Sequence, residues 1–173
     1  MASNRNRWKR ALGLFAALLA LGTVSGPSRA DDLSLLLNGK AYHMPRGQYG
    51  HLNEKNWGLG LQYDFDKGEK WFPFVNVSEF KDSNYNLSWY FGGGLMRRYT
   101  FDTDIARFNV DVGAVGFLMH REGFRNGNLF PGILPALSVG TDRASVNITY
   151  VPKIDPKMVA LWFFQLKIRI GQY

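Results

Sequence analysis

The sequence predicts an all-β chain, an eight-stranded antiparallel transmembrane β-barrel preceded by a cleaved signal peptide. Three observations predict it. The amino terminus is laid out as an export signal, and no later stretch is apolar enough for a helical span. Yet 13 Phe, 8 Tyr and 5 Trp are spread among many Gly and Asn, a mixture suited to strands that are greasy on one side. Those residues alternate with polar ones in runs near the ~9 to 11 residues that a tilted strand needs to cross hydrocarbon.

Arg5, Arg7, Lys9 and Arg10 precede an apolar run from Ala11 to Leu21, then a stretch ending Pro27-Ser28-Arg29-Ala30. A basic head, a short apolar middle and small residues before a cut are the parts of a secretory signal. A retained anchor would want ~20 apolar residues, and Thr23 to Arg29 is too polar to supply them. Residues 1–30 are therefore assigned to the signal peptide and 31–173 to one outer-membrane β-barrel domain. The signal holds five of the 21 basic residues and none of the 14 acidic ones, so the mature chain is nearly neutral. The pI of 9.7 thus gives no reason to expect nucleic acid as a partner. With no Cys and three scattered His, neither a disulfide framework nor a metal site is indicated, and no organic cofactor is implied.

Eight candidate strands follow in order: 33–43, 56–66, 70–81, 84–99, 105–119, 130–140, 143–151 and 158–170. The second sets Trp57, Leu59, Leu61, Tyr63 and Phe65 against Asn56, Gly58, Gly60, Gln62 and Asp64. The fourth sets Tyr85, Leu87, Trp89, Phe91 and Leu95 against Asn84, Asn86, Ser88, Gly92 and Gly94. The fifth sets Phe108, Val110 and Val112 against Arg107, Asn109 and Asp111, and the seventh sets Val146, Ile148 and Tyr150 against Ser145, Asn147 and Thr149. In each, one face suits lipid and the other a lumen. In the eighth, Val159, Leu161 and Phe163 share the inward parity near one end, and Gln165, Lys167 and Arg169 continue it toward the other. An even strand number closes the barrel and leaves no edge for lipid to strand.

The tight links, Asp66 to Lys70, Thr100 to Asp104 and Thr141 to Asp142, belong on the periplasmic side, and the longer links 44–55, 120–129 and 152–157 outside. That orientation gathers His43, Asp82 and Ser83 on the outer rim. A base, a carboxylate and a hydroxyl are the residue types of acyl transfer, although any exposed rim collects them as solvated loop residues.

Phe80-Lys81-Asp82-Ser83, at the top of a strand, resembles the corresponding segment of PagP, the lipid A palmitoyltransferase family of outer-membrane barrels. Asn53-Glu54-Lys55-Asn56-Trp57-Gly58-Leu59-Gly60 is similar to that family's Asn-Glu segment running into a Trp-Gly-rich second strand. Pro131-Gly132-Ile133-Leu134-Pro135, Ser138-Val139-Gly140 and Thr149-Tyr150-Val151-Pro152 are similar to its later strands, where prolines interrupt pairing. The resemblance spans most of residues 40–170 at low identity. It implies a monomeric enzyme of the outer membrane that moves a palmitoyl-type chain from a phospholipid to lipid A, with catalytic residues His43, Asp82 and Ser83. The link from His43 to Trp57 is about four residues shorter than the family's, which leaves His51 as the other candidate histidine. The acyl pocket implied by the resemblance and by parity comprises Gly94, Gly92, Val159, Leu161 and Phe163, with Gly94 at the floor. Close packing in a narrow barrel would equally explain the glycines.

Two departures accompany the likeness. Asp31 to Leu37 is too short for the amphipathic helix that precedes the family's first strand, and Leu95-Met96-Arg97-Arg98 lacks its Trp and polar pattern. A lipid A deacylase would carry a His-x-Ser pair in the second half, where His120 is followed by Arg121 and Glu122. Two non-catalytic readings compete. One is a structural barrel whose lumen is filled by Arg107, Asp111, Arg143, Lys167 and Arg169. The other is a soluble periplasmic lipid carrier, whose aromatic face would have to be buried against a second sheet. A smooth apolar upper lumen would favour the enzyme, and charged pairs crossing it would favour the structural barrel.

Overall fold

A computed structural model describes residues 31–45, 51–67, 69–104, 106–154 and 158–173. The expected signal peptide, 1–30, lies outside the described residues. Eight strands are present among those described: β1 (Asp32–Met44), β2 (Lys55–Asp64), β3 (Trp71–Lys81), β4 (Leu87–Asp102), β5 (Arg107–Arg121), β6 (Phe130–Gly140), β7 (Ala144–Val151) and β8 (Ala160–Gln172). Each pairs antiparallel with the next, and β1 pairs with β8, so the sheet closes into a barrel. Next to the seam, Asp31 and Tyr173 exchange backbone hydrogen bonds of 3.0 and 2.9 Å. Closure leaves no free edge along the sheet, the condition for strands to stand in lipid.

The period-two patterns orient the strands as expected. In β2, Trp57 and Leu59 are exposed on the outer surface while Asn56, Gln62 and Asp64 are buried in the lumen. Leu87, Phe91, Leu95 and Val112 continue the outer apolar band, and Ser88, Asn109 and Asp111 point inward. The aromatic face is turned out, and among the described residues all eight strands belong to the one closed sheet, whereas the soluble carrier reading needs a second sheet against that face. The links from β2 to β3, β4 to β5 and β6 to β7 share one end with Asp31 and Tyr173, and the other four links join strand ends at the opposite side.

Strand four begins at Leu87 rather than at the expected 84. The Asp82 carboxylate accepts hydrogen bonds from the backbone N–H groups of Asn84 (2.8 Å) and Asn86 (3.0 Å), and Tyr85 takes a left-handed φ of 63°. That local turn competes successfully with the ladder for residues whose alternation reads as strand. The expected filling of a structural barrel also divides. Asp111, Lys167 and Arg169 do enter the lumen, but Arg107 pairs with Asp102 on the exposed rim and Arg143 is exposed in the link between β6 and β7.

Candidate active site

His43 reaches the lumen through an irregularity in β1. Ser34, Leu36 and Asn38 face inward, and strict alternation would turn Lys40 and Tyr42 inward next. Instead the register with both neighbours shifts between Asn38 and Lys40, so Ala41 and His43 are buried and Lys40 is exposed. Gly39 sits at the shift, where a bulge spends its extra residue.

Opposite it, the tight link after β3 carries Asp82 and Ser83, and the end of the first loop holds that link in place. The Asn53 N–H donates to the Ser83 carbonyl (2.8 Å), and its side-chain amide donates to the Asp82 carbonyl (3.0 Å). The Asn56 amide donates to the Lys81 carbonyl (2.6 Å). These bonds lace two loops together and bring His43 Nε2 to 2.9 Å from Ser83 Oγ, both groups buried. A nucleophile and base within hydrogen-bond reach are the geometric core of acyl-transfer sites.

Asp82 stands differently. Its Oδ1 caps the turn, and its Oδ2 accepts from Arg121 Nε at 2.8 Å, with the Ser88 hydroxyl 3.5 Å away. The carboxylate near the histidine is that of Glu54, whose Oε1 lies 3.8 Å from His43 Nδ1. His51, the alternative histidine, is exposed. Glu54 and Arg121 are the site residues that sequence reasoning missed. Inward parity in β5 extends two residues past Met119 to Arg121, a signal that was available; the placement of Glu54 depends on loop lacing and was not.

Below the rim lies a cavity of about 530 Å³. Asp82, Ser83 and Arg121 line it together with apolar side chains from β3 through β8. Rings of Phe80, Tyr90, Phe117 and Phe163 form part of its wall, with Phe80 and Phe163 5.5 Å apart. Phe74, Met96 and Val115, packed with Phe72, Leu134 and Ala136, form an apolar cluster against the lower part of the cavity, where Gln62 and Lys167 also line it. Of the expected pocket residues, Leu161 and Phe163 line the cavity. Val159, Gly92 and Gly94 do not. The Phe74 ring covers Gly94, and a methyl group there would come 2.8 Å from that ring and 2.1 Å from the Ala114 carbonyl.

The wall is incomplete on one side. The β6–β7 ladder runs only from Ala136↔Thr149 to Gly140↔Ser145, although β6 continues to Phe130 and β7 to Val151. Pro131, Pro135 and Pro152 have no N–H to offer a ladder there. Pro131 and Ile133, of outward parity, line the cavity as well, so it reaches the barrel surface through this gap.

A family model described as antimicrobial peptide resistance and lipid A acylation protein PagP matches residues 24–165. No curated protein sequence matches the chain. Among solved structures, the outer membrane protein Ail of Yersinia pestis is similar at 11% identity, with a TM-score of 0.42 over 80% of this chain and 99% of its own. Neisserial surface protein A is similar at 16% identity, with a TM-score of 0.45 over 84% of this chain and 98% of its own. Neither likeness bears on function. The family match extends over the strands that carry His43, Asp82, Ser83 and the interrupted β6–β7 wall. The chain therefore belongs, as a divergent member, to the PagP family, and its barrel resides in the outer membrane.

Proposed function

We propose that the barrel transfers an acyl chain of palmitoyl type from a phospholipid to lipid A. The observation that carries this reading is the buried His43–Ser83 contact at the mouth of an apolar cavity. The cavity volume lies within the ~300 to 1,000 Å³ of small-ligand sites, and its lining suits a hydrocarbon tail. The gap between β6 and β7 gives that tail a lateral route from the bilayer without dragging a headgroup through the strands.

With the tail seated, the donor ester lies at the rim. His43 Nε2 accepts the proton of the attacking hydroxyl, which is Ser83's own in a two-step route and lipid A's in a single displacement. Attack on the ester carbonyl forms a tetrahedral centre, and its collapse breaks the acyl–oxygen bond. The proton held on His43 passes to the leaving lysophospholipid oxygen. In the two-step route a lipid A hydroxyl then attacks acyl-Ser83 and gives its own proton to the same nitrogen, which passes it to the Ser83 oxygen as the acyl–Ser83 bond breaks. Asp82 holds Arg121 beside this centre, where a guanidinium suits a developing oxyanion or the donor phosphate.

The non-catalytic reading requires charged pairs across the upper lumen. The ion pairs of Asp32, Asp64, Lys67, Arg98, Asp111 and Lys167 lie in the periplasmic half, and the Arg121–Asp82 pair at the upper rim stands beside the β4–β5 ladder rather than across the lumen.

Mass spectrometry of lipid A tests the proposal. Cells expressing the full chain should add the mass of one palmitoyl group, and cells with His43→Ala or Ser83→Ala at matched membrane levels should not. Unchanged lipid A despite a folded, inserted barrel would remove the transferase reading.

A further inference from the structure

We infer that Glu54, and not Asp82, is the carboxylate that positions the catalytic histidine, making Ser83–His43–Glu54 the working relay. This inference rests on the acyl-transfer reading of the same site and assigns a residue to it.

The two carboxylates differ in their partners. Both oxygens of Asp82 are occupied, one by two backbone N–H groups of its own turn and the other by Arg121. An acceptor so committed already holds the loop and the guanidinium. Glu54 is the one placed to orient the ring, since its Oε1 stands 3.8 Å from His43 Nδ1, on the side of the imidazole opposite Ser83. Its backbone is fixed across the strands, where the Glu54 carbonyl accepts from the Ala41 N–H at 2.9 Å, two residues before the histidine. Nδ1 itself is buried with no hydrogen-bond partner. A buried ring nitrogen cannot be left unpaired without cost, and the carboxylate that a small side-chain rotation brings within bonding range is Glu54's.

The consequence is a choice of tautomer. A proton on Nδ1 directed at Glu54 leaves the Nε2 lone pair facing Ser83, so that the Ser83 hydroxyl donates to Nε2 and the ring can take its proton. The opposite tautomer puts N–H against the hydroxyl and disables the base. When the ring becomes an imidazolium during transfer, the Glu54 charge stabilises it.

The test uses the full chain folded in detergent micelles, with long-range ¹H–¹⁵N spectra reporting the state of each imidazole. There are three histidines, so His43→Ala assigns the signal. Wild-type His43 should carry its proton on Nδ1. Glu54→Leu should move it predominantly to Nε2 and lower kcat by ~10- to 100-fold with KM within ~2-fold, the signature of a misdirected base. Glu54→Gln, which keeps an acceptor, should retain the Nδ1–H form and recover part of kcat. Asp82→Asn should leave the His43 tautomer unchanged.

A His43 signal indifferent to Glu54→Leu, or one that switches with Asp82→Asn, would overturn the relay while leaving the transferase standing. The expected tautomer switch in a protein that never acylates lipid A would uphold the pairing and remove the acyl-transfer reading. Should Glu54→Leu fail to fold, Glu54→Ala removes the same acceptor with less bulk, and its tautomer set against that of Asp82→Asn decides between the two carboxylates.

Discussion

The outer and periplasmic halves of the lumen are closed by opposite means. Below the Phe74–Met96 cluster, Asp64 is fully buried between Lys67 (3.4 Å) and Lys167 (3.3 Å), and Lys67 also meets Asp32 at 2.9 Å. Arg98 binds Asp111 through two hydrogen bonds of 2.8 Å, and its guanidinium lies over the Phe72 ring. Charges fill that half and pair with one another, although Asp32 Oδ1 and Ser34 Oγ are buried there without a hydrogen bond. Above the cluster there is a cavity walled mainly by rings and aliphatic side chains, with Asn76, Asn147 and Gln165 among them, and near its mouth stands a buried histidine whose Nδ1 has no hydrogen bond. A barrel of ~8 strands can be filled by side chains throughout. This one is filled in one half only, and an apolar cavity beside an unsatisfied ring nitrogen breaks the packing rules in the way that binding sites do.

If the outer half is the working half, its polar pair should carry the largest single effect on turnover. His43→Ala removes the base and should lower acyl transfer by ~10²- to 10⁴-fold, with the folded fraction unchanged because the ring lies at the rim. Ser83→Ala should fall in the same range. A loss under tenfold in either, measured on folded protein in mixed micelles, would mean that the contact at 2.9 Å is incidental.

The periplasmic half should respond in the complementary way. Asp64→Leu leaves Lys167 without its carboxylate in a buried site and should cost ~3 to 5 kcal/mol, seen as a lower urea midpoint for the barrel in detergent. Turnover per folded molecule should stay within about twofold. Equal damage to stability and chemistry would erase the division between the halves.

The boundary between them can be moved. Met96→Ala opens the floor of the cavity and should cost ~2 to 4 kcal/mol of stability. It should also shift the transferred chain toward greater length, read directly from the mass added to lipid A. A Met96→Ala barrel with an unchanged product would place the end of the tail above the cluster.

How far this arrangement was legible in the sequence varies with the physics that fixes each part. Lipid on one side and lumen on the other force a period of two, so Trp57, Leu59, Phe91 and Val112 betray their orientation without any tertiary knowledge. Turn lengths likewise put Asp82 and Ser83 on the outer rim. The burial of His43 depends on the bulge at Gly39, and a strict alternation through Asn38 would have sent the ring outward. Strand four starts three residues late because Asp82 prefers its own turn. Glu54 gains its place from loop-to-loop bonds of Asn53 and Asn56, which no periodicity encodes. Arg121 obeys the alternation of β5 and needed only a strand drawn two residues longer.

Gly94 gives the smallest and most discriminating effect. A glycine at the floor of an acyl pocket should lengthen the pocket, so that Gly94→Ala shortens the chain transferred and leaves stability intact. The geometry favours the other outcome. The added methyl would come 2.1 Å from the Ala114 carbonyl of the neighbouring strand and 2.8 Å from the Phe74 ring. Backbone cannot yield as a flexible side chain can, so β4 and β5 must part and Phe74 must tilt. The expected cost is ~1 to 3 kcal/mol, the range of overpacked sites. Because Phe74 already stands between Gly94 and the cavity, the length of the transferred chain should change less than it does for Met96→Ala. A Gly94→Ala barrel of wild-type stability that transfers a shorter chain would put the glycine at the pocket floor and move the boundary between the two halves below Phe74.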